Sequence, residues 1–317
     1  MKKLISGIQP TGRLHLGNYL GAIKNWVDLQ DKYSCSFFIA DLHALTTKIS
    51  PEELTRQNRE VTIDLLALGI DPKKSLLFKQ SAVIGHTDLA WIFNCLIPVA
   101  ELERMTQYKD KSLRQPDNVN AGLLTYPALQ AADILLYQAE YVPVGEDQIQ
   151  HLELSRIIAK KFNNRYKNFF PEVKPVLSPV PRVMSLSDPN KKMSKSLGEA
   201  SYIAIRDEAD IVTKKIKKAV TDKQGVNNLL SLYSYFGDKN KLKTMQADYQ
   251  AGKLMNVHLK EELTSAILEF LKPVQKRIAE LEKNPKKVDK ILADGAKKAQ
   301  KIANKNLWEI KQIIGLK

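Results

Sequence analysis

Two cysteines are all this chain contains, and they form no Cys-x-x-Cys pair. A thiolate zinc site is therefore disfavoured and a disulfide framework is out. Cys35 and Cys95 each fall in an apolar run, CSFFIADL and WIFNCLIP, so both are expected as buried free thiols, the form kept in a reducing compartment. Long hydrophobic runs are missing too, and none approaches the ~18–20 residues of a membrane span. The basic start MKKLISGIQPTG loses its apolar character at Gln9-Pro10, too early for a secretory leader. A cytoplasmic location with no membrane partner is expected. Gly-x-Gly-x-x-Gly and a loop ending in Gly-Lys-Ser/Thr are also absent, which argues against a dinucleotide enzyme or a Walker-type NTPase. DEAD at 207–210 has no such loop as its partner, and it opens a helix instead of ending a strand.

Acid is the other shortage. Asp and Glu number 35 against 49 Lys and Arg, a formal charge of +14. A field of that sign concentrates anions, so an anionic partner such as a nucleotide or nucleic acid is favoured. Hydrophobic content of 44% and charged content of 26% are those of a globular protein with a real core. A length of 317 residues suggests about two domains.

The first part alternates short β-type runs with helical patterns. Strands are expected at LISGI (4–8), CSFFIADL (35–42), SLLFKQS (75–81), YVPVG (141–145) and RVMSL (182–186). The second is apolar nearly throughout, as befits a central parallel strand buried on both faces. Between them, NYLGAIKNWVDLQDKY (18–33) carries Leu20, Ile23 and Val27 on one helical face. Ser50-Pro51-Glu52-Glu53 opens another helix, which stops at Gly69. From about Asp207 the patterns are mainly helical and basic. The expectation is an α/β fold: a Rossmann-like doubly wound parallel sheet followed by a smaller all-helical domain. The boundary is placed at 190/191, with the last helix expected to pack back on the first domain.

In such a sheet ligands bind beyond the C-terminal strand ends, near helix N-termini. Three segments should meet there. SGIQPTGRLHLGN leads from strand one into helix one with Gly7, Gly12 and Gly17, and offers His15 and Asn18. VPVGEDQIQH follows strand four; Gly145 permits close backbone approach, and Glu146 and Asp147 are acceptors suited to ribose hydroxyls. DPNKKMSKSLG (188–198) crowds Lys191, Lys192 and Lys195 around Met193 and two serines, between turn-forming residues. Taken singly, each has a plainer reading: a tight turn, acids complementing a helix dipole, or a solvated basic loop.

HLGN (15–18) resembles the His-Ile-Gly-His signature of class I aminoacyl-tRNA synthetases, and KMSKS (192–196) matches that family's second signature letter for letter. SGIQPTG, AELERMTQYKDKS (100–112), LLTYPALQAADILLY (123–137) and VPVGEDQ (142–148) are similar to the tryptophan-specific branch, over nearly the whole chain. The resemblance implies an enzyme that activates L-tryptophan with ATP, releases pyrophosphate and charges tRNA(Trp). It also implies a homodimer, for which the apolar segment 86–106 is the candidate interface. Mg2+ would arrive bound to ATP, with no metal held by the protein itself.

It further implies residue roles. Lys192, Lys195 and Lys111 would neutralise phosphate charge, with Met193, Ser194 and Ser196 completing the loop over ATP. Gln9, Pro10, Thr11, His15, Gly17 and Asn18 would line the phosphates and adenosine, Gly145, Glu146 and Asp147 the ribose, and the Val183 backbone the adenine. Asp133 would accept the indole N–H, which is a donor only. Tyr126, Gln130, His43, Gln148 and Ile5 would surround it. Ile5 stands where many members have an aromatic residue, Gln130 where a methionine is common, and His15 where this branch usually has threonine. The connector after Gly225 is shorter than in many bacterial members. A tyrosine-specific synthetase of the same subclass is the nearest competing reading; a non-catalytic nucleic-acid-binding relative is the other.

Overall fold

The computed structural model describes residues 1–145, 148–177 and 183–316. Five parallel strands form one sheet in the order β3-β2-β1-β4-β5: β1 (Lys3–Ile8), β2 (Ser34–Ile39), β3 (Leu76–Lys79), β4 (Tyr141–Val144) and β5 (Lys174–Leu177). The doubly wound sheet is thus as expected, but its fifth strand is not RVMSL. Lys174–Leu177 pairs with β4, from Tyr141 against Lys174 to Val144 against Leu177. Met184 instead makes an antiparallel bridge to Lys192, tying that segment to the lysine-rich loop. Edge position explains the difference, because β5 is largely exposed and includes Pro175.

Helices cover both faces. α1 (Leu16–Asn18) passes through a π turn at Tyr19–Ile23 into α2 (Lys24–Leu29). The extra residue in the π turn rotates the apolar face. Trp26 and Leu29 therefore join Leu20 and Ile23 in the core, and Val27 is only half-buried. α3 (Asp41–Ala44) follows β2 directly. α4 (Pro51–Ala67) begins as anticipated, with the Ser50 hydroxyl accepting the Glu53 N–H at 3.1 Å. α5 (Gly85–Asn94), α6 (Val99–Glu103), α7 (Thr106–Arg114), α8 (Ala121–Leu135) and α9 (Ile149–Arg165) lie between β3 and β5. Then come α10 (Ala209–Lys218), α11 (Lys223–Phe236), α12 (Lys239–Gln250), α13 (Asn256–Glu282) and α14 (Pro285–Ile313).

Two apolar clusters flank the sheet. Leu4, Phe37 and Ile39 belong to one, which runs on without a break into α10–α13 through residues such as Val212, Leu263 and Val274. Ile5, Phe38 and Phe78 belong to the other, with α5, α8, α9 and part of α14. β2 is therefore buried on both faces, as its sequence demanded. α14 returns to the sheet: Gly295 lies so close to β3 that a Cβ there would collide with the carbonyl oxygen of Leu77. On α10, Val212 and Ile216 are buried but Ile211 is exposed. Lys215 folds inward to Asp207 at 2.6 Å, over the Tyr202 ring. Cys35 is buried, its thiol pushed up to about 12 by burial, whereas Cys95 is exposed, contrary to expectation. Among the described residues no helix is long and apolar enough to cross a membrane.

Candidate active site

β1 and β4 pair at Leu4 against Tyr141, near their starts, and a cavity of about 470 Å³ opens beyond that point. This is the place where strand order reverses, the usual ligand crevice of such sheets. Of the expected residues, Ile5, Gln9, His43, Lys111, Tyr126, Gln130, Asp133, Gly145 and Gln148 line it. Five elements supply them: β1 and its exit, α3, α7, α8, and β4 with its exit.

Asp133 lies at 1% exposure on α8. Its Oδ2 accepts from His43 Nε2 at 2.8 Å, and its Oδ1 from Gln80 Nε2 and His86 Nδ1, each at 2.7 Å. Burial alone would raise this carboxyl, but the two histidines against it hold it below the ordinary carboxylate value. His86 Nε2 in turn meets the Tyr137 hydroxyl at 2.9 Å. Tyr126 is pushed up by burial, and its hydroxyl lies 2.7 Å from His151 Nε2. Lys111 Nζ sits 4.9 Å from the centre of the Tyr126 ring, its ammonium lowered by burial. A cation and a carboxylate thus share one partly apolar cavity.

The remaining described residues of the expected set lie in a second cluster around His15, continuous with the first through the turn after β1. Lys195 Nζ donates to the carbonyl oxygen of Thr11 and lies over Gly12, whose φ is +73°. Burial lowers Lys195 to about 8. His15 falls to about 4, through burial first and then the positive charges of Lys195 and Lys192, so its ring is neutral near pH 7. A Cβ at Gly17 would come within 2.9 Å of His15 Nδ1 and 3.5 Å of Met193 Cβ. The bare position is thus already closed in by the chain's own ring. Asn18 Oδ1 accepts the His15 N–H at 3.2 Å and caps α1. Pro10 is buried beside this turn.

The lysine-rich loop is anchored at both ends. Met193 N–H donates to Val183 O at 2.9 Å, and Ser185 N–H to Lys191 O at 2.8 Å. Ser194 Oγ accepts from the Ser196 N–H at 3.3 Å and meets Ser196 Oγ at 2.9 Å, while Ser201 Oγ donates to Ser194 O at 2.7 Å. Downstream, Leu16 N–H donates to Ile203 O at 3.0 Å, and Ile205 N–H to Leu14 O at 2.9 Å. The loop is therefore stitched to the segment that carries His15. Glu146 and Asp147 lie outside the described residues. Among the described residues, no group of three or more His, Cys, Asp or Glu is placed to hold a metal ion.

Several lining or supporting residues were not singled out from the sequence. Phe38, in register with Gly7, brings an aromatic ring to the cavity, and a Cβ on Gly7 would strike it. Gly21, Ala22, Asn25 and Trp26 line the cavity from the π turn and α2. Gln57 Oε1 accepts the Gly12 N–H at 2.9 Å. Gln80 and His86 follow β3, at the same sheet edge as the segments that were recognised. The end of β3 was the available signal.

A family model described as tRNA synthetases class I (W and Y) matches residues 1–272. A tryptophan–tRNA ligase of Wolinella succinogenes is 46% identical over 327 aligned positions, covering 99% of each chain. One from Helicobacter pylori (strain 26695) is likewise 46% identical, with 99% of each covered. Among solved structures, a tryptophanyl-tRNA synthetase from Campylobacter jejuni, complexed with ADP and tryptophan, superposes with a TM-score of 0.89 at 35% identity, covering 99% of both chains.

Proposed function

The chain belongs to the class I tRNA synthetases of the tryptophan and tyrosine group, and from that premise we propose how its cavity carries out the reaction. Its activity is the ATP-dependent ligation of tryptophan to tRNA. The tryptophan carboxylate attacks the α-phosphate of ATP, pyrophosphate leaves, and the aminoacyl group passes from the adenylate to the 3′ adenosine of tRNA(Trp) with release of AMP. No side-chain nucleophile is needed, so catalysis rests on positioning and on charge stabilisation.

Asp133 reads the indole. A carboxylate has about four acceptor positions; three are occupied by His43, Gln80 and His86, which leaves one for a donor-only ring. That residual capacity, on a buried acid lining the cavity, is the observation that carries this reading. Ile5, Phe38 and Tyr126 enclose the apolar body, with Gln130 and Gln148 as polar contacts. Lys111, at the cavity, and Lys195 and Lys192, over the turn after β1, stabilise charge on the phosphates. Gln9, Pro10 and Thr11 line them, and the cluster of His15, Gly17, Asn18, Met193 and Val183 holds the adenosine. Ser194 and Ser196 shape the loop, while Gly145, Glu146 and Asp147 serve the ribose. Mg2+ enters with ATP as counter-ion to its phosphates.

Residues 191–317 form the tRNA-binding region. The functional unit is a homodimer in the cytoplasm: exposed Leu45 and Trp91 line a groove of about 290 Å³ beside α5 and α8, and Ile84 and Val99 are exposed as well, apolar surface suited to a second copy. Pyrophosphate exchange against each aromatic amino acid tests the activity. Tryptophan alone should support rapid exchange, and preferential exchange with tyrosine would overturn the assignment.

A further inference from the structure

Reading the indole needs Asp133 to present one particular oxygen lone pair, and nothing on α8 itself fixes the carboxylate's rotation. His43 holds it from the cavity side, and the other groups that fix it lie behind the acid, away from the cavity. His86, the second residue of α5, is fully buried and does not line the cavity. Its ring spans two partners, Asp133 Oδ1 on Nδ1 at 2.7 Å and the Tyr137 hydroxyl on Nε2 at 2.9 Å. Phe38, Phe78 and Tyr137 pack around it, with ring centroids 5.9, 6.2 and 5.4 Å away.

The proton positions follow from the partners. Nδ1 faces an acid and donates, so a neutral ring has its lone pair on Nε2 and accepts the Tyr137 O–H. Asp133 thereby sets the tautomer of His86, while the Tyr137 hydroxyl pins the far side of the ring and so holds the ring that orients Asp133. Such chains set a terminal acceptor more firmly than any one of their bonds does. Gln80 fills the other position on Oδ1 at 2.7 Å. With Oδ1 saturated, only Oδ2 retains an acceptor direction, beside the bond from His43.

We propose that His86 is a positioning residue for amino-acid selection, and that Tyr137 and His86 form a relay aiming the Asp133 carboxylate at the indole N–H. The inference rests on the reading of Asp133 as the indole acceptor. Without the relay the carboxylate turns, and the enzyme loses its preference for a ring that bears an N–H over an isosteric ring that does not.

The test is a ratio. Pyrophosphate exchange is measured with L-tryptophan and with its analogue in which sulfur replaces the ring N–H, in the wild type, His86→Leu, His86→Asn and Tyr137→Phe. The wild type should favour tryptophan by ~10-fold or more in kcat/KM, as expected when a buried acceptor would otherwise lose its donor. His86→Leu should reduce that ratio by at least ~5-fold, mainly through KM for tryptophan. His86→Asn, which keeps a donor near the Nδ1 position, should restore most of it, and Tyr137→Phe should fall between. If the wild type uses both ligands equally, the Asp133 reading fails and the inference with it. If the wild type discriminates but His86→Leu and Tyr137→Phe keep the full ratio, His86 only packs and the inference alone is overturned. Should His86→Leu not fold, Tyr137→Phe decides by the same criterion, since it removes a single hydroxyl.

Discussion

Lys195 Nζ donates to the carbonyl oxygen of Thr11, so the lysine-rich loop and the turn after β1 are joined directly by a charged group. Bound ATP must exchange that carbonyl for phosphate oxygens. Lys195→Ala is therefore expected to slow adenylate formation by ~10²–10³-fold while leaving tryptophan binding nearly intact, as for loss of a contact specific to the transition state. Rapid-quench measurement of adenylate checks this, and activation at near-normal speed would count against it.

The same lysine sets a pH limit. Burial lowers it to about 8, so in the free enzyme its positive charge is present below that pH and lost above it. The value of kcat/KM for ATP reports groups of the free enzyme, and should decline as pH rises through about 8. Lys195→Arg stays charged well beyond that range and should flatten the decline, whatever its absolute rate.

Asp133 carries structure as well as the recognition proposed for it. Asp133→Ala strands three buried groups, His43, Gln80 and His86, along with the indole. Removing one side of a buried charged network typically costs ~3–5 kcal/mol. Asp133→Asn keeps the shape and one carbonyl, and should lose distinctly less. Chemical denaturation of both variants measures the difference; equal stability would show the network to be dispensable.

Asp64 on α4 is buried and accepts from Arg206 Nε at 2.8 Å, while Arg206 Nη1 reaches Glu282 at the end of α13 at 2.5 Å. Burial raises Asp64 to about 6 despite the arginine. Its folded-state value exceeds that of the unfolded chain, so its contribution to stability is full below the ordinary carboxylate range and is lost as pH rises through about 6. Arg206→Ala should deepen that loss: ~3–5 kcal/mol at pH 8, and clearly less at pH 5, where Asp64 takes up a proton. Denaturant titrations at the two pH values suffice, and a pH-independent deficit would contradict the assignment.

Tryptophan activation and tRNA charging should respond differently to salt. On the proposed tRNA-binding role of this region, exposed lysines such as Lys214, Lys217 and Lys218 on α10 would meet phosphates of the polynucleotide and not those of ATP. Counter-ion release then makes tRNA affinity fall steeply with salt concentration, and activation much less. Parallel slopes would return those lysines to the role of a solvated surface.

What could be read in the sequence was whatever repeats locally. The apolar run in β2, the Ser50 cap and the KMSKS loop each declare themselves over a few neighbouring residues. β5 did not, because an edge strand with Pro175 has no continuous apolar run, while Val183 and Met184 have strand-like side chains but pair with the lysine-rich loop. His86 was hidden for another reason. In GHTDLAW it reads as an ordinary polar residue in the first turn of a helix, and only the approach of α5 to α8 sets it against Asp133. That approach is close: a Cβ on Gly85 would come within 3.2 Å of Leu136. The contact is a property of packing, which no local pattern encodes.

The seat of Gly295 against Leu77 has a consequence for how the molecule is made. β3 is an edge strand of the sheet, and it leaves the ribosome long before the helix that covers it. During synthesis the nascent sheet is bare on that side, with an unpaired strand edge and an open apolar face, the kind of surface that holds chaperones and seeds misassembly. The β3 side of the sheet is thus covered by residues that lie more than 200 positions further along the chain, a contact of very high sequence separation, the kind that forms slowly.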